Sequence, residues 1–320
     1  MKTDALWITA PNKMEIRPVD VPDPGYDEVQ IQIKACGVCA WDSYLYQGIS
    51  NPKPIPYTFG HEGAGIITKT GPGVKNFKAG DKVFAASAAN DMMMQYSNQP
   101  ESCVTKIPGD TTDYSAWVAE PLVCVVSLLY KSGICPGDRV VLVGAGYMGL
   151  LTLQGLQAEP WGELIVFETR ADRRKLAQEY PSSGIYDPDS PEGRAKIKEI
   201  KEKGGAEVII EFSASDSGYD LALSMIKGIA GKLILGSWHR HDKSFDGTSW
   251  HLTGLSVLNC APNANAHFRE MIGPTAALIN RGVYEPRKYV THIADYHEAT
   301  PVFLKSIDKT DGYIKGVITF

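Results

Sequence analysis

The sequence predicts two domains of different class, α/β plus β: a β-rich N-terminal part, then an α/β part with a doubly wound parallel sheet. Three observations predict this. The 320 residues exceed what one ordinary core needs, which favours two domains. Up to about Glu120, short runs of alternating apolar and polar residues are separated by glycine-rich turns, as in half-buried strands. Beyond it, apolar β-branched runs alternate with helix-forming stretches, and strand alternating with helix implies parallel pairing.

In the first part, Glu28-Val29-Gln30-Ile31-Gln32-Ile33-Lys34 has period two, which predicts a strand with one buried face. Residues 63–68 and 82–86 read as further strands. Pro24-Gly25, Gly71-Pro72-Gly73 and Ala79-Gly80-Asp81 mark the turns. Short strands joined this way predict a small barrel or sandwich. In the second part, residues 138–143, 163–167, 206–210 and 231–235 read as strands, with helices over 149–158 and 172–180. These strands lack period two, which suits a sheet covered on both faces. From about Pro262 come a helix over 269–280 and a closing strand, Gly316-Val317-Ile318-Thr319-Phe320.

Hydrophobic residues are 43% and charged residues 22%, the balance of a soluble globular protein. The net charge of -5, with no basic run, argues against nucleic acid or an anionic membrane as partner. Met1-Lys2-Thr3-Asp4-Ala5-Leu6-Trp7 has no basic region followed by an apolar stretch, so no signal peptide is expected. No window approaches the roughly 18 apolar residues of a spanning helix. Six cysteines are too sparse for a disulfide framework, and a cytoplasmic location is expected. Cys36, Cys135 and Cys260 read as buried small hydrophobes.

Val143-Gly144-Ala145-Gly146-Tyr147-Met148-Gly149 follows a predicted strand and opens a predicted helix, the context of a dinucleotide loop. Gly144 allows a tight turn, Gly146 lets the backbone approach a pyrophosphate, and Gly149 lets helix and strand pack closely. The helix start offers free N–H groups to the phosphates. Ala145, Tyr147 and Met148 are the loop's other candidate contacts. Glu168 ends the next strand, about 20 residues past the last glycine, where an acid accepts from a ribose 2′-hydroxyl. It points to NAD over NADP, whereas nearby Arg170, Arg173 and Arg174 act the other way. Arg173 is counted among the cofactor-binding candidates. The plainer reading is that the glycines only turn the chain and Glu168 is an exposed strand-end acid.

Cys39, His61, Glu62, Glu120 and Cys124 are zinc-type ligands. A catalytic zinc takes three such groups and keeps one position open, and it lowers the pKa of an oxygen bound there. Cys39 and His61 are the strongest candidates. Glu62 is either a fourth ligand or a group that supports the ligands from behind. Pro121 suits the first position of a helix, which makes Glu120 its cap. Cys124 is four residues on and shares its face, so either residue could complete the set.

These segments together resemble the zinc-dependent medium-chain dehydrogenases, the family of alcohol, sorbitol, glucose and threonine dehydrogenases, over nearly the whole chain. Ala35-Cys36-Gly37-Val38-Cys39-Ala40-Trp41-Asp42 resembles the family's first ligand segment, and Gly60-His61-Glu62-Gly63-Ala64-Gly65 its Gly-His-Glu signature. Gly71-Pro72-Gly73-Val74 through Gly80-Asp81-Lys82-Val83 resembles its barrel turn. Ala119-Glu120-Pro121-Leu122 looks like the polyol branch, and Cys124 like the cysteine of simple alcohol dehydrogenases. The resemblance implies a GroES-like catalytic domain from residues 1–124 plus 262–320 and a Rossmann NAD-binding domain over 125–261. It places the active site in the cleft between them and implies a homodimer or homotetramer.

Three departures stand out. The family's four-cysteine structural zinc lobe, due at about residues 85–105, is replaced by a stretch with Met92-Met93-Met94 and only Cys103, so a single zinc is expected. The family's proton-relay Ser or Thr is Trp41 here, which passes the relay to Tyr44, or to Glu62 or Glu120 through zinc-bound water. Trp238-His239-Arg240-His241, and Trp250-His251 further on, either shape a substrate pocket or lie in a solvated loop. The expected activity is hydride transfer between NAD and a secondary alcohol of a polyol, sugar or cyclitol. The alternatives are a zinc-free NADPH-dependent quinone or enone reductase of the same fold, and a binding protein that kept the fold without the chemistry.

Overall fold

One strand, Glu28–Val38, organises the first half of the molecule. It runs for 11 residues, four past the end of the alternating stretch. That length lets it pair antiparallel with Glu62–Thr70, Tyr96–Pro100 and the C-terminal strand Lys315–Thr319. In a computed structural model that describes residues 1–50, 53–86, 91–240, 242, 244–262 and 267–320, the main sheet around it has the order Val290–Asp295, Lys315–Thr319, Glu28–Val38, Glu62–Thr70, Lys82–Ala86, Val104–Lys106. A smaller sheet holds the hairpin Lys2–Ala10 and Lys13–Asp20, extended by Tyr57–Thr58.

Alternation puts Ile31 and Ile33 on the inner face, where they are at most 1% exposed and pack in one cluster with Phe59, Met92, Met93 and Phe303. Phe59 meets Phe303 edge-on at 5.7 Å. The methionine run is thus core in this fold. The Met92 and Met93 N–H groups donate to the Phe59 carbonyl, which ties the run against the segment leading to His61. Gly60 is left-handed there, with φ +94°, and a β-carbon on it would lie 2.7 Å from the Met93 nitrogen. Only glycine satisfies both conditions.

The second half is a six-stranded, all-parallel sheet. Its order is Gly184–Tyr186, Glu163–Phe167, Arg139–Val143, Val208–Glu211, Lys232–Leu235, Ser256–Asn259, the doubly wound Rossmann arrangement. Val141, Ile165, Ile209 and Leu233 are fully buried in its core, as expected for strands covered on both faces. The first helix spans Tyr147–Leu156 and the next Ala171–Ala177. The former starts inside the glycine motif, earlier than its apolar residues suggest. The latter stops short of residue 180.

The chain divides into two compact units, Met1–Val123 with Arg269–Phe320, and Cys124–Phe268. The return to the first unit comes at Arg269, later than residue 262. The first division falls within the helix Glu120–Ser132. No helix of the described residues is long and apolar enough to cross a membrane.

Gly149 tests the glycine loop's packing. A β-carbon there would lie 2.1 Å from the Gly144 carbonyl oxygen, a backbone atom that cannot move without displacing the loop. Gly149→Ala is expected to destabilise the protein by about 1–3 kcal/mol, read as a lower urea midpoint. Gly273→Ala, a helical glycine with no heavy atom within 4 Å of its β-carbon position, should leave the midpoint unchanged or raise it.

Candidate metal centre and dinucleotide site

Strand register assembles the candidate metal centre. Cys36 lies opposite Gly63, and Val38 opposite Gly316. The strand's end, Glu62 and Lys315 are therefore neighbours despite their distance in sequence. The strand runs into Cys39, which caps the helix Ala40–Gln47 with extended backbone, φ -85° and ψ 159°. Its N–H donates to Asp42 Oδ2 at 2.9 Å, an acidic third residue reaching back to the cap. Asp42 is fully buried. Its Oδ1 lies 3.6 Å from His61 Nδ1, so one carboxylate fixes the cap and faces the imidazole.

Cys39, His61 and Glu62 bring one potential ligand atom each to within 4.8 Å of one another. They are the only such group among the described residues. A thiol, an imidazole and a carboxylate at this spacing match zinc's preferred donors. An imidazole with one nitrogen turned to a carboxylate is the usual arrangement of a ligating histidine.

Glu62 is fully buried and Lys315 is 4% exposed. Lys315 Nζ lies 2.8 Å from Glu62 Oε1 and 2.5 Å from Oε2, and it also donates to the Val38 carbonyl at 3.1 Å. Gly37 makes room for this pair. A β-carbon at Gly37 would fall 1.9 Å from Glu62 Oε2.

Burial pushes the Asp42 carboxyl above its usual range, against the attraction of His61. Burial alone would lower His61. The Asp42 carboxylate, a hydrogen bond with Cys39 and the Glu120 carboxylate overcome it and hold the imidazole well above its ordinary value. Burial keeps two other cysteines as thiols, raising Cys36 well above the ordinary range and Cys260 to about 11. Cys135, expected to be buried, is instead exposed in a turn, with its Sγ 3.5 Å from the Gly133 carbonyl.

Glu120 is 4% exposed and is itself the first residue of the helix Glu120–Ser132. Pro121 therefore follows the first helical position. Glu120 acts on His61 through its charge, but neither it nor half-buried Cys124 belongs to the 4.8 Å group. Tyr44 is half-buried on the helix that Cys39 caps. Trp41 packs against the core of the first unit.

In the second unit, Gly144 has φ +96°, and a β-carbon on it would meet the Phe212 backbone at 2.8 Å. Glu168 is 6% exposed, which removes the reading as an exposed strand-end acid. Its Oε2 accepts the Ala145 N–H at 2.7 Å and its Oε1 the Arg170 N–H at 2.8 Å. Tyr147 is buried and Met148 half-buried on the helix that follows. A cavity of about 490 Å³ is lined by Gly144, Gly146, Glu168, Arg173, Ser213 and Ser215 among others. Arg173 Nε is buried without a partner among the described residues. Its Nη1 lies 3.4 Å from where a Gly146 β-carbon would be. A guanidinium with an unpartnered Nε beside a glycine loop and a helix start suits the oxygens of a phosphate.

Asp42 and Lys315 carry weight that the sequence reading did not give them. Asp42 had a signal, since an acid three residues after the cap is a helix-start signature. Lys315 had a weaker one, a lone charge at the start of an apolar closing strand. Of the residues after the Rossmann strand Lys232–Leu235, Trp238 is 49% exposed. His239 instead bonds Glu211 at 2.7 Å. Trp250 stacks on Phe245 at 4.5 Å, His251 is exposed, and His241 lies outside the described residues.

Comparison with known proteins agrees with this architecture. Residues 25–131 match the family described as Alcohol dehydrogenase GroES-like domain. The chain is 24% identical to the uncharacterized zinc-type alcohol dehydrogenase-like protein YdjJ of Escherichia coli (strain K12), over 99% of each protein. It is 25% identical to the sorbitol dehydrogenase of Halalkalibacterium halodurans, over 85% of this chain and 86% of that protein. An Escherichia coli oxidoreductase/dehydrogenase of unknown specificity superposes with a TM-score of 0.87 at 23% identity, covering 100% of this chain and 99% of that one. The chain thus has the fold of these proteins, a GroES-like domain and a Rossmann domain.

Because His61 is held above its ordinary value, its protonated form predominates below that raised value and must lose a proton to bind metal. Zinc affinity of the metal-free protein is therefore expected to rise with pH until the raised value is passed. Calorimetric titration with zinc near pH 7, in two buffers of different ionisation enthalpy, counts the protons released. Asp42→Asn removes the main group that raises His61, and it should release fewer protons than the unaltered protein.

Proposed function

We propose that this chain is a zinc-dependent oxidoreductase that transfers hydride between NAD and a secondary alcohol of a polyol, sugar or cyclitol. The observation that carries this reading is the Cys39, His61 and Glu62 group within 4.8 Å, in a chain that also holds a Rossmann glycine loop. Zinc bound there would supply the Lewis acidity that lets an alcohol oxygen give up its proton near neutral pH.

The protein's own groups prepare the site. Asp42 orients the imidazole, and Lys315 balances the Glu62 carboxylate, so that Glu62 serves either as a ligand or as support behind the ligands. Glu120 and Cys124 are the two candidates for the remaining ligand position. Tyr44, Glu62 and Glu120 are the candidates for carrying the proton away, since the Trp41 indole N–H donates but cannot accept a proton to pass on. In the dinucleotide site, the glycine loop and Arg173 take the pyrophosphate. The Glu168 carboxylate, held by the loop's own N–H, takes the ribose hydroxyls and repels a 2′-phosphate, which favours NAD.

The Ala119-Glu120-Pro121-Leu122 segment and the likeness to a sorbitol dehydrogenase support a polyol-like substrate. A single zinc is supported by the stretch 85–105, which offers only Cys103, and by the methionines that fill its core. We place the protein in the cytoplasm as a homodimer or homotetramer, with a small alcohol as its partner.

A panel of sugars, polyols, cyclitols and amino alcohols, followed by absorbance of the reduced nicotinamide with NAD and NADP in parallel, tests the proposal. Turnover with NAD on at least one polyhydroxy secondary alcohol is expected. Cys39→Ala should reduce kcat by about a thousandfold. Unchanged turnover in that variant would sink the zinc mechanism, and an NADP preference would overturn the role given to Glu168.

A further inference from the structure

A second buried carboxylate–imidazole pair lies in the Rossmann unit, apart from the metal centre. Glu211 ends the strand Val208–Glu211 and is fully buried. Its Oε1 accepts the Ser213 N–H at 2.5 Å, the Ala214 N–H at 3.2 Å and the Ser213 hydroxyl. Its Oε2 lies 2.7 Å from His239 Nε2. His239 belongs to the segment after the neighbouring strand Lys232–Leu235. The imidazole side chain is 10% exposed and meets the Tyr219 ring edge-on at 5.5 Å.

The pair is held rigidly. Ala214 is a non-glycine residue in the left-handed region, with φ 55°, and its N–H is bound by Glu211. Phe212 packs over Gly236 so closely that a β-carbon there would lie 2.3 Å from the ring. The segments after both strands are thus locked together, with Glu211 between them. Glu211 is satisfied by backbone and hydroxyl donors without the histidine. The imidazole in turn uses one nitrogen on Glu211, and its Nδ1 has no hydrogen-bond partner among the described residues.

Position gives this free nitrogen a use. A doubly wound sheet binds a dinucleotide across the carboxyl ends of its strands, at the point where strand order reverses. Here that point lies between Arg139–Val143 and Val208–Glu211. Glu168 and the glycine loop mark the adenosine ribose and the pyrophosphate. The rest of the dinucleotide then runs over the carboxyl ends of Val208–Glu211 and Lys232–Leu235, where Glu211 and His239 stand. Neither residue lines the cavity beside Glu168.

We propose that His239 Nδ1 contacts the nicotinamide-ribose half of the bound dinucleotide, and that Glu211 is the positioning residue that fixes the ring. This rests on the dinucleotide reading above. The contact is a hydrogen bond to a ribose hydroxyl or to the carboxamide, made by a side chain whose rotamer is already set.

The test is calorimetric titration of the whole protein with ADP, ADP-ribose and NAD. ADP stops at the pyrophosphate, ADP-ribose adds a ribose, and NAD adds the nicotinamide. His239→Gln keeps an amide near the Nε2 position for Glu211 and removes only the Nδ1 group, so the fold is preserved. It is expected to weaken NAD by about tenfold, the loss of one good hydrogen bond, and to leave ADP unchanged. Glu211→Gln should show the same split, because it releases the ring without touching the cofactor. Loss of ADP-ribose affinity as well would place the contact on the ribose, and its retention would place it on the carboxamide. Unchanged NAD affinity, or equal weakening of ADP and NAD, would overturn the proposal. Failure of ADP to bind the unaltered protein would overturn the dinucleotide reading with it.

Discussion

A buried excess of negative charge is the constraint on which the first unit depends. Asp42, Glu62 and Glu120 are each at most 4% exposed, and Lys315 is the one buried lysine among the described residues. Removing a carboxylate from water costs several kcal/mol unless a countercharge meets it. Lys315 answers Glu62. Asp42 faces His61, and with Cys39 and the Glu120 charge it overcomes burial and raises that imidazole. A proton on His61 is the weaker answer to this field. A dication bound by Cys39 and His61, as proposed, would be the stronger one. The same arrangement thus explains the shifted histidine, the buried lysine and the absence of a side chain at Gly37.

The geometry follows from one long strand. Glu28–Val38 carries the core on its alternating face and then delivers Cys39 beside two partners that its own register selects, Gly63 and Gly316. A one-residue slip would turn Ile31 and Ile33 outward and separate Glu62 from Lys315. Core packing and site assembly are therefore enforced together. The Rossmann unit shows the opposite polarity. Its glycine loop presents N–H groups, and half-buried Arg173 brings a buried Nε beside them, a local setting that suits a phosphate. Glu168 is tolerated there because the Ala145 and Arg170 N–H groups hold it.

Much of this was legible in the sequence because the signals are local. Cys39, His61 and the glycine loop sit in short motifs, and the strands 82–86 and 163–167 coincide with the observed ones. What was missed depends on distance or on weak patterning. Lys315 meets Glu62 only through antiparallel pairing between the two ends of the chain. The first hairpin turns at Asn12, left-handed at φ 58°, with no glycine to announce it. Gly184–Tyr186 is three half-buried residues, too short for a period. Glu211 lies just past the predicted strand 206–210, and the fold buries it completely.

X-ray absorption at the zinc edge, with elemental analysis of the purified protein, tests the central claim most directly. The account predicts one zinc per chain, four-coordinate, with sulfur in the first shell at about 2.3 Å and the remaining ligands nitrogen or oxygen at about 2.0–2.2 Å. A protein without stoichiometric zinc, or an ion surrounded by oxygen alone, would contradict it.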